Sequence, residues 1–219
     1  DQLISAADRI CGDDVSRACV FLHAERARLA GDRDQFDSLQ ARANAISLIS
    51  DNEKYLDAVR LMSTRQWSEA VQLLTDLADR NSIPSSLCWT LIGRSQYNAG
   101  QTEEAKLSIT RSIEHAPDAS RLWFMRGLCY DKLGQYARAE REFSRVLELE
   151  STFMPAWLGR GTARLSQQRF EEGIADLTKG LEYAPDHAEI LINRSRAYRR
   201  LGMIEQADRD QAAAAESKN

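Results

Sequence analysis

The sequence predicts an all-α protein built as a solenoid of helical hairpins, and three observations carry that prediction. The stretch Arg121 to Glu150 reads as two amphipathic helices around a tight turn: Trp123, Gly127 and Tyr130 on one face of the first, Gly134 at its end, Ala139, Phe143 and Val146 along the second. Shifting it by 34 residues reproduces the pattern, which marks a repeat architecture. Prolines fall at the ends of two units, Pro117 and Pro185, where the missing donor and the ring's clash with the preceding turn stop a helix.

The register is strict over four units. Trp123, Gly127, Gly134 and Ala139 are preceded by Trp89, Gly93, Gly100 and Ala105, and followed by Trp157, Gly161, Gln168 and Gly173, then by Leu191, Ser195, Gly202 and Ala207. These residues resemble the signature of the tetratricopeptide-repeat family: small, aromatic and leucine-like residues at this period with terminal prolines. The resemblance covers residues 86–219 closely. It extends to 51–85, where Trp67, Ala70 and Leu74 fit a frame displaced by one residue through an insertion before Ser86. Gln168 in place of the turn glycine, and Gly173 and Gly180 in place of alanine, depart from the pattern. The resemblance implies a right-handed superhelical solenoid of five repeats, at about 51–85, 86–119, 120–153, 154–187 and 188–219.

Taken in order, residues 2–11 are expected to form a short helix broken by Gly12, with Asp13 or Asp14 capping a helix that runs to about Leu29. Ala24, Ala27 and Gly31 lie one period upstream of Ala58, Leu61 and Arg65, so residues 1–50 read as an N-terminal helical cap containing a degenerate repeat. Its second helix, about Gln35 to Leu48, carries Phe36 where a repeat has alanine. In the next unit Tyr55, Ala58, Leu61 and Met62 stripe one helix and Trp67, Ala70, Leu73, Leu74 and Leu77 the other. The polar connection Asn81 to Ser86 suggests no domain boundary. The last helix, about Ile204 to Ala215, ends in an alanine-rich run mild enough to face water or a second copy, which makes a solenoid end the candidate homodimer interface.

The chain has 219 residues, 43% of them hydrophobic, and a net charge of −4. A mild acid balance disfavours sequence-independent nucleic-acid binding, which needs clustered Lys and Arg. No apolar run approaches the roughly 18 residues of a membrane span. A chain starting at Asp1 leaves room for a removed leader; a cytoplasmic protein is favoured, and an exported or periplasmic one if a signal peptide preceded Asp1. Cys88 and Cys129 read as small buried residues, and Cys11 and Cys19 as free thiols in preference to a disulfide. Cys19 and His23 share a helix face, but no second ligand pair follows, so no metal and no cofactor are expected. His115 and His187 sit near repeat junctions, where solvation or hydrogen bonding is their expected role.

None of the searched catalytic motifs occurs: no G-x-x-x-x-G-K-[ST] loop, no G-x-G-x-x-G, no H-E-x-x-H and no G-x-S-x-G elbow. The expected function is therefore binding without catalysis, the alternative being a regulatory or targeting segment of a larger enzyme. In the resembled family the first helices line a concave face, and the resemblance implies a groove formed by Tyr55, Val59 and Met62, then Leu91, Arg94 and Tyr97, then Phe124 and Leu128, then Leu158, Thr162 and Leu165, and lastly Ile192, Arg196 and Arg199. Its apolar character favours an apolar peptide or an amphipathic helix as ligand. The lysine, asparagine and arginine clamp by which family members hold chaperone tails is not matched, since its places hold Thr90, Arg94, Met125, Pro155 and Gly159.

An internal comparison adds one expectation. Arg126, Arg160 and Arg194 are each followed sixteen residues later by Glu142, Asp176 and Asp210, whereas the units with Ile92 and Asp57 at that place have Ser108 and Leu73. Each arginine is expected to pair with its acid across the hairpin; the rival reading is an arginine ladder for an anionic ligand.

Overall fold

The computed structural model describes residues 17–45, 51–80 and 83–217. Every regular element among them is an α-helix, twelve in all, and the chain divides into two compact units, 1–101 and 102–219.

The first unit holds α1 (Arg17–Leu29), α2 (Arg33–Ala45), α3 (Asp51–Ser63), α4 (Trp67–Arg80) and α5 (Ser85–Asn98). Successive helices pack in hairpins, with α1 on α2, α3 on α4 and α4 on α5, and α1 also meets α3. Ala58, Leu61 and Met62 of α3 interlock with Ala70 and Leu74 of α4 and Leu91 and Ile92 of α5, with Trp67 and Trp89 laid against them. Asp57 fills the place that arginine holds in later repeats. It turns inward and accepts a 2.8 Å bond from Arg60, whose guanidinium lies 3.8 Å over the Phe21 ring and so ties α3 to α1. Partly apolar arginine stems and delocalised guanidinium charge suit this semi-buried stacking better than lysine would.

Two expectations for the N-terminal region need separate treatment. The helix over 2–11, its Gly12 break and the Asp13 and Asp14 caps lie outside the described residues. Cys19 is buried and disulfide-bonded, so the expectation of a free thiol there is corrected; Cys11 lies outside the described residues. Sequence spacing carries no Cα–Cα distance, and that distance decides whether a disulfide can close.

The second unit holds α6 (Thr102–His115), α7 (Ser120–Lys132), α8 (Tyr136–Leu149), α9 (Met154–Ser166), α10 (Phe170–Tyr183), α11 (Ala188–Arg200) and α12 (Ile204–Glu216), each packed on its neighbours in order. In α8 the apolar residues Ala139, Phe143, Val146 and Leu147 recur at helical spacing and are buried against Ala156 and Ala163 of α9. Phe143 is the pivot. A Cβ at Gly127 or at Gly159 would come within 2.7 Å of its ring, so glycine on α7 and glycine on α9 both clear space for one phenyl group. Its ring also meets Phe124 at 5.6 Å, a tilted aromatic contact.

The turns inside the hairpins share one geometry. Gly134 has φ +71°, its N–H bonds Asp131 O at 2.9 Å, and the next N–H, of Gln135, reaches back to Tyr130 O at 2.8 Å. This is a Schellman stop, which needs a left-handed residue just past the helix. Gln168 and Arg65 occupy the same place at φ 63° and 62°, with the same pair of bonds, so the departure from glycine keeps the turn and accepts the strain.

The arginine pairing is present in all three expected hairpins. Arg126 donates to both Glu142 oxygens at 3.0 and 3.1 Å, Arg160 to both Asp176 oxygens at 3.0 and 2.7 Å, and Arg194 to both Asp210 oxygens at 2.7 Å. The remaining nitrogen, Nη1, reaches the hydroxyl sixteen residues upstream: Thr110 at 3.2 Å, Ser144 at 3.3 Å and Thr178 at 3.0 Å. Each arginine therefore joins three successive helices. With its donors committed inward, this ladder has little left for an anionic ligand.

Candidate partner-binding groove

The first helix of each hairpin supplies the expected groove residues, and the structure sorts them by burial. In the first unit Met62 and Leu91 are only 6% and 8% exposed and belong to the core. Tyr55 and Val59 are half-buried against that core, and Tyr97 is half-buried while Arg94 is exposed. Burial, and then Cys88, push the Tyr55 phenol above its ordinary value against the opposing pull of Arg94, so it stays a neutral hydrogen-bonding group near pH 7.

In the second unit Phe124 and Leu128 of α7 are half-buried and pack against the Phe143 cluster. Phe124 also meets Phe153 edge to face at 5.1 Å. Leu158, Thr162 and Leu165 of α9 and Ile192 of α11 are half-buried, and Arg196 and Arg199 of α11 are exposed. Leu165 reaches over Gly173, whose Cβ would collide with its side chain, so the glycine that replaces alanine there lets the leucine settle onto α10.

Three of the expected residues meet in one cleft. Thr162, Leu165 and Ser166 of α9, Phe170 of α10, and Asn193, Arg196, Ala197 and Arg200 of α11 enclose about 250 Å³. Phe170 and Asn193 were missed by the sequence reading, because Phe170 opens a second helix and Asn193 lies between the positions that the family pattern marks. The Thr162 hydroxyl turns its one proton back to its own helix, shared between Leu158 O at 3.0 Å and Gly159 O at 2.9 Å.

Asp131 of α7 is the other residue that the sequence did not single out. It is half-buried, and among the described residues its carboxylate has no hydrogen-bond or ion-pair partner. Burial raises its carboxyl above the usual carboxylate range. A further network braces α8, α9 and the turn before α10: Glu140 accepts bonds from Arg164 at 2.9 Å, Gln167 at 3.0 Å and Arg169 at 2.6 Å. Burial alone would raise Glu140, but these three donors outweigh it and hold its carboxyl below the usual range.

Among the described residues no group of three or more His, Cys, Asp or Glu side chains is placed to hold a metal ion, and no helix is long and apolar enough to cross a membrane. Cys88 and Cys129 are free and buried, and burial pushes the Cys129 thiol up to about 11, which leaves it protonated and unreactive near pH 7.

A sequence model of the tetratricopeptide repeat matches residues 90–152 and 158–217, more than half of the chain. Mouse RNA polymerase II-associated protein 3 is 30% identical over 126 residues, 58% of this chain and 19% of that protein. Hsp70-Hsp90 organizing protein 2 of Arabidopsis thaliana is 22% identical over 116 residues, 53% of this chain and 20% of that protein. The chain thus spans about a fifth of the length of these curated relatives. Among solved structures, MamA is matched with a TM-score of 0.69 at 13% identity, over 74% of this chain and 94% of that one. MamA 41-end from Desulfovibrio magneticus RS-1 is matched at 0.72 and 16%, over 78% and 97%. At such identities the likeness shows the fold alone, a solenoid of helical hairpins.

Proposed function

Because the chain belongs to the tetratricopeptide-repeat family, we propose that it is a non-catalytic scaffold that binds a partner protein through an apolar peptide or amphipathic helix laid along its first helices. The observation that carries this is the set of half-buried apolar side chains Leu158 and Leu165 of α9 and Ile192 of α11, on the two first helices that flank the open cleft of the second unit, with Leu165 lining the cleft itself. Contiguous apolar surface left accessible on such a helix face is an interaction site by default, since water solvates it poorly. An amphipathic helix presents anchors at i, i+3, i+4 and i+7 that fit between neighbouring first helices. Two relatives, RNA polymerase II-associated protein 3 and Hsp70-Hsp90 organizing protein 2, carry names of association and organization, which agree with this mode.

A second reading, a targeting or regulatory part of a larger protein, draws on the fifth of the relatives' length that the chain spans. The two readings share the same groove and differ only in what the groove serves.

The test uses Leu158→Glu/Ile192→Glu, compared with wild type for helicity by circular dichroism and for binding to a labelled synthetic helix with a leucine stripe. The variant should stay helical and bind at least about tenfold more weakly, since truncating or charging a central anchor costs more than about 1 kcal/mol. Unchanged binding by a folded variant would move the working surface off the first helices.

A further inference from the structure

The four arginines of α11 divide into two kinds. Arg194 is bidentate to Asp210, and Arg199 bonds Asp208 at 3.2 Å. Arg196 and Arg200 are exposed and, among the described residues, form no ion pair and no hydrogen bond through their side chains. Both line the cleft between α9 and α11, together with Asn193 one turn earlier on the same face.

The surroundings leave their charge unanswered. The opposite wall, α9, contains no Asp or Glu at all. At the start of α10, Glu172 is held by Arg169 at 2.5 Å, and Glu171 makes no ion pair with either guanidinium. The cleft floor between them is apolar, formed by Leu165, Phe170 and Ala197. Two unpaired guanidiniums over an apolar floor ask for a ligand that is anionic at its edge and apolar at its centre.

The spacing narrows this further. Four residues on one helix face set Arg196 and Arg200 about 6 Å apart along the axis. Two carboxylates at i and i+4 on a second helix have the same separation, and guanidinium forks take carboxylates in bidentate fashion. We propose that this cleft is the charged anchor of the groove and selects an acidic amphipathic helix, one apolar side chain entering against Leu165 and Phe170 while two flanking carboxylates pair with Arg196 and Arg200. The proposal rests on the groove reading above and adds the sign and position of the partner's charge.

The test is fluorescence anisotropy with two labelled 18-residue synthetic helices, capped at both ends and sharing one leucine stripe, which carry either two glutamates or two glutamines at i and i+4 beside the stripe. Each is titrated with wild type, with Arg196→Gln/Arg200→Gln, and with Arg141→Gln/Arg209→Gln, which removes two charges elsewhere. Wild type should bind the glutamate helix at least tenfold more tightly than the glutamine helix, a preference that shrinks at 0.5 M NaCl. It should vanish in Arg196→Gln/Arg200→Gln and persist in the control. Equal affinity of wild type for both helices, or equal loss of preference in the control, would overturn the anchor and leave the apolar groove standing. Loss of the glutamate helix to low millimolar inorganic phosphate would also overturn it, by assigning the arginines to phosphate. No binding of either helix to folded wild type would overturn the anchor and the groove together.

Discussion

Arg160 illustrates how much a single side chain can fix. It meets both Asp176 oxygens, the Ser144 hydroxyl and, at 4.8 Å, the Trp157 ring, so one guanidinium holds α8, α9 and α10 in register. Its pair with Asp176 is shielded, at 16% and 4% side-chain exposure, so removing Asp176 strands the Arg160 charge and costs about 3–5 kcal/mol, whereas removing Arg160 costs less because Arg164 still meets Asp176 at 2.9 Å. Arg160→Ala and Asp176→Ala should therefore show a coupling of about 1–3 kcal/mol in a double-mutant cycle of urea unfolding; additive losses would contradict the pairing. Two carboxylates predict opposite pH trends. Glu140 is held below the usual range, so its contribution is present above about pH 4.3 and is lost as pH falls through its folded value. Glu140→Gln should lower stability at pH 7 and approach wild type in acid. Asp131 is raised by burial, so its carboxyl favours folding when protonated and opposes it as pH rises through the folded value. Asp131→Asn should raise the melting temperature at pH 7 and lose that advantage near pH 3. The arginine pairs were legible because acid and base appear and disappear together between repeats of one chain. Their hydroxyl partners recur at the same period, and a search sixteen residues upstream as well as downstream would have found them. Asp131 was not legible, because a carboxylate on a helix is ordinarily solvated and only packing shows that this one is not.

At the scale of elements, the hairpin turns were the most readable feature. A glycine after four of the six described first helices predicts the left-handed stop, and the structure has it at Gly31, Gly100, Gly134 and Gly202. Gln168 and Arg65 show that the backbone geometry is set by the hairpin and not by the residue placed there. Replacing Gln168 with glycine should relieve a left-handed strain of about 1–2 kcal/mol, less about 0.5–1 kcal/mol of backbone entropy, for a small net gain in thermal unfolding. Gly134→Ala should lose stability by a similar or larger amount. Helix α8 tests packing instead. Phe143 is fully buried between two glycines, which have no side chain to fill the gap, so Phe143→Ala should cost about 3–5 kcal/mol. What the pattern could not supply was the division of first-helix positions between core and surface. Met62 and Leu165 both stand three residues before a left-handed turn residue, yet the first is buried and the second half-buried, because burial depends on which neighbouring helix leans over them.

For the whole molecule, the 34-residue period made the fold legible: a repeat that cannot bury its own apolar face must stack on the next one. The N-terminal region was less so, since its repeat is degenerate and the state of Cys19 depends on a distance that spacing does not encode. The central claim is that the half-buried apolar positions of the first helices are the working surface. Methyl NMR of isotope-labelled protein, titrated with the leucine-stripe helix, tests it most directly. The account predicts that the methyl signals of Leu158, Leu165 and Ile192 shift together and saturate with one affinity, while those of Leu107, exposed at 63% on α6, stay fixed. Shifts confined to Leu107 and to Ile204, exposed at 55% at the start of α12, would contradict it.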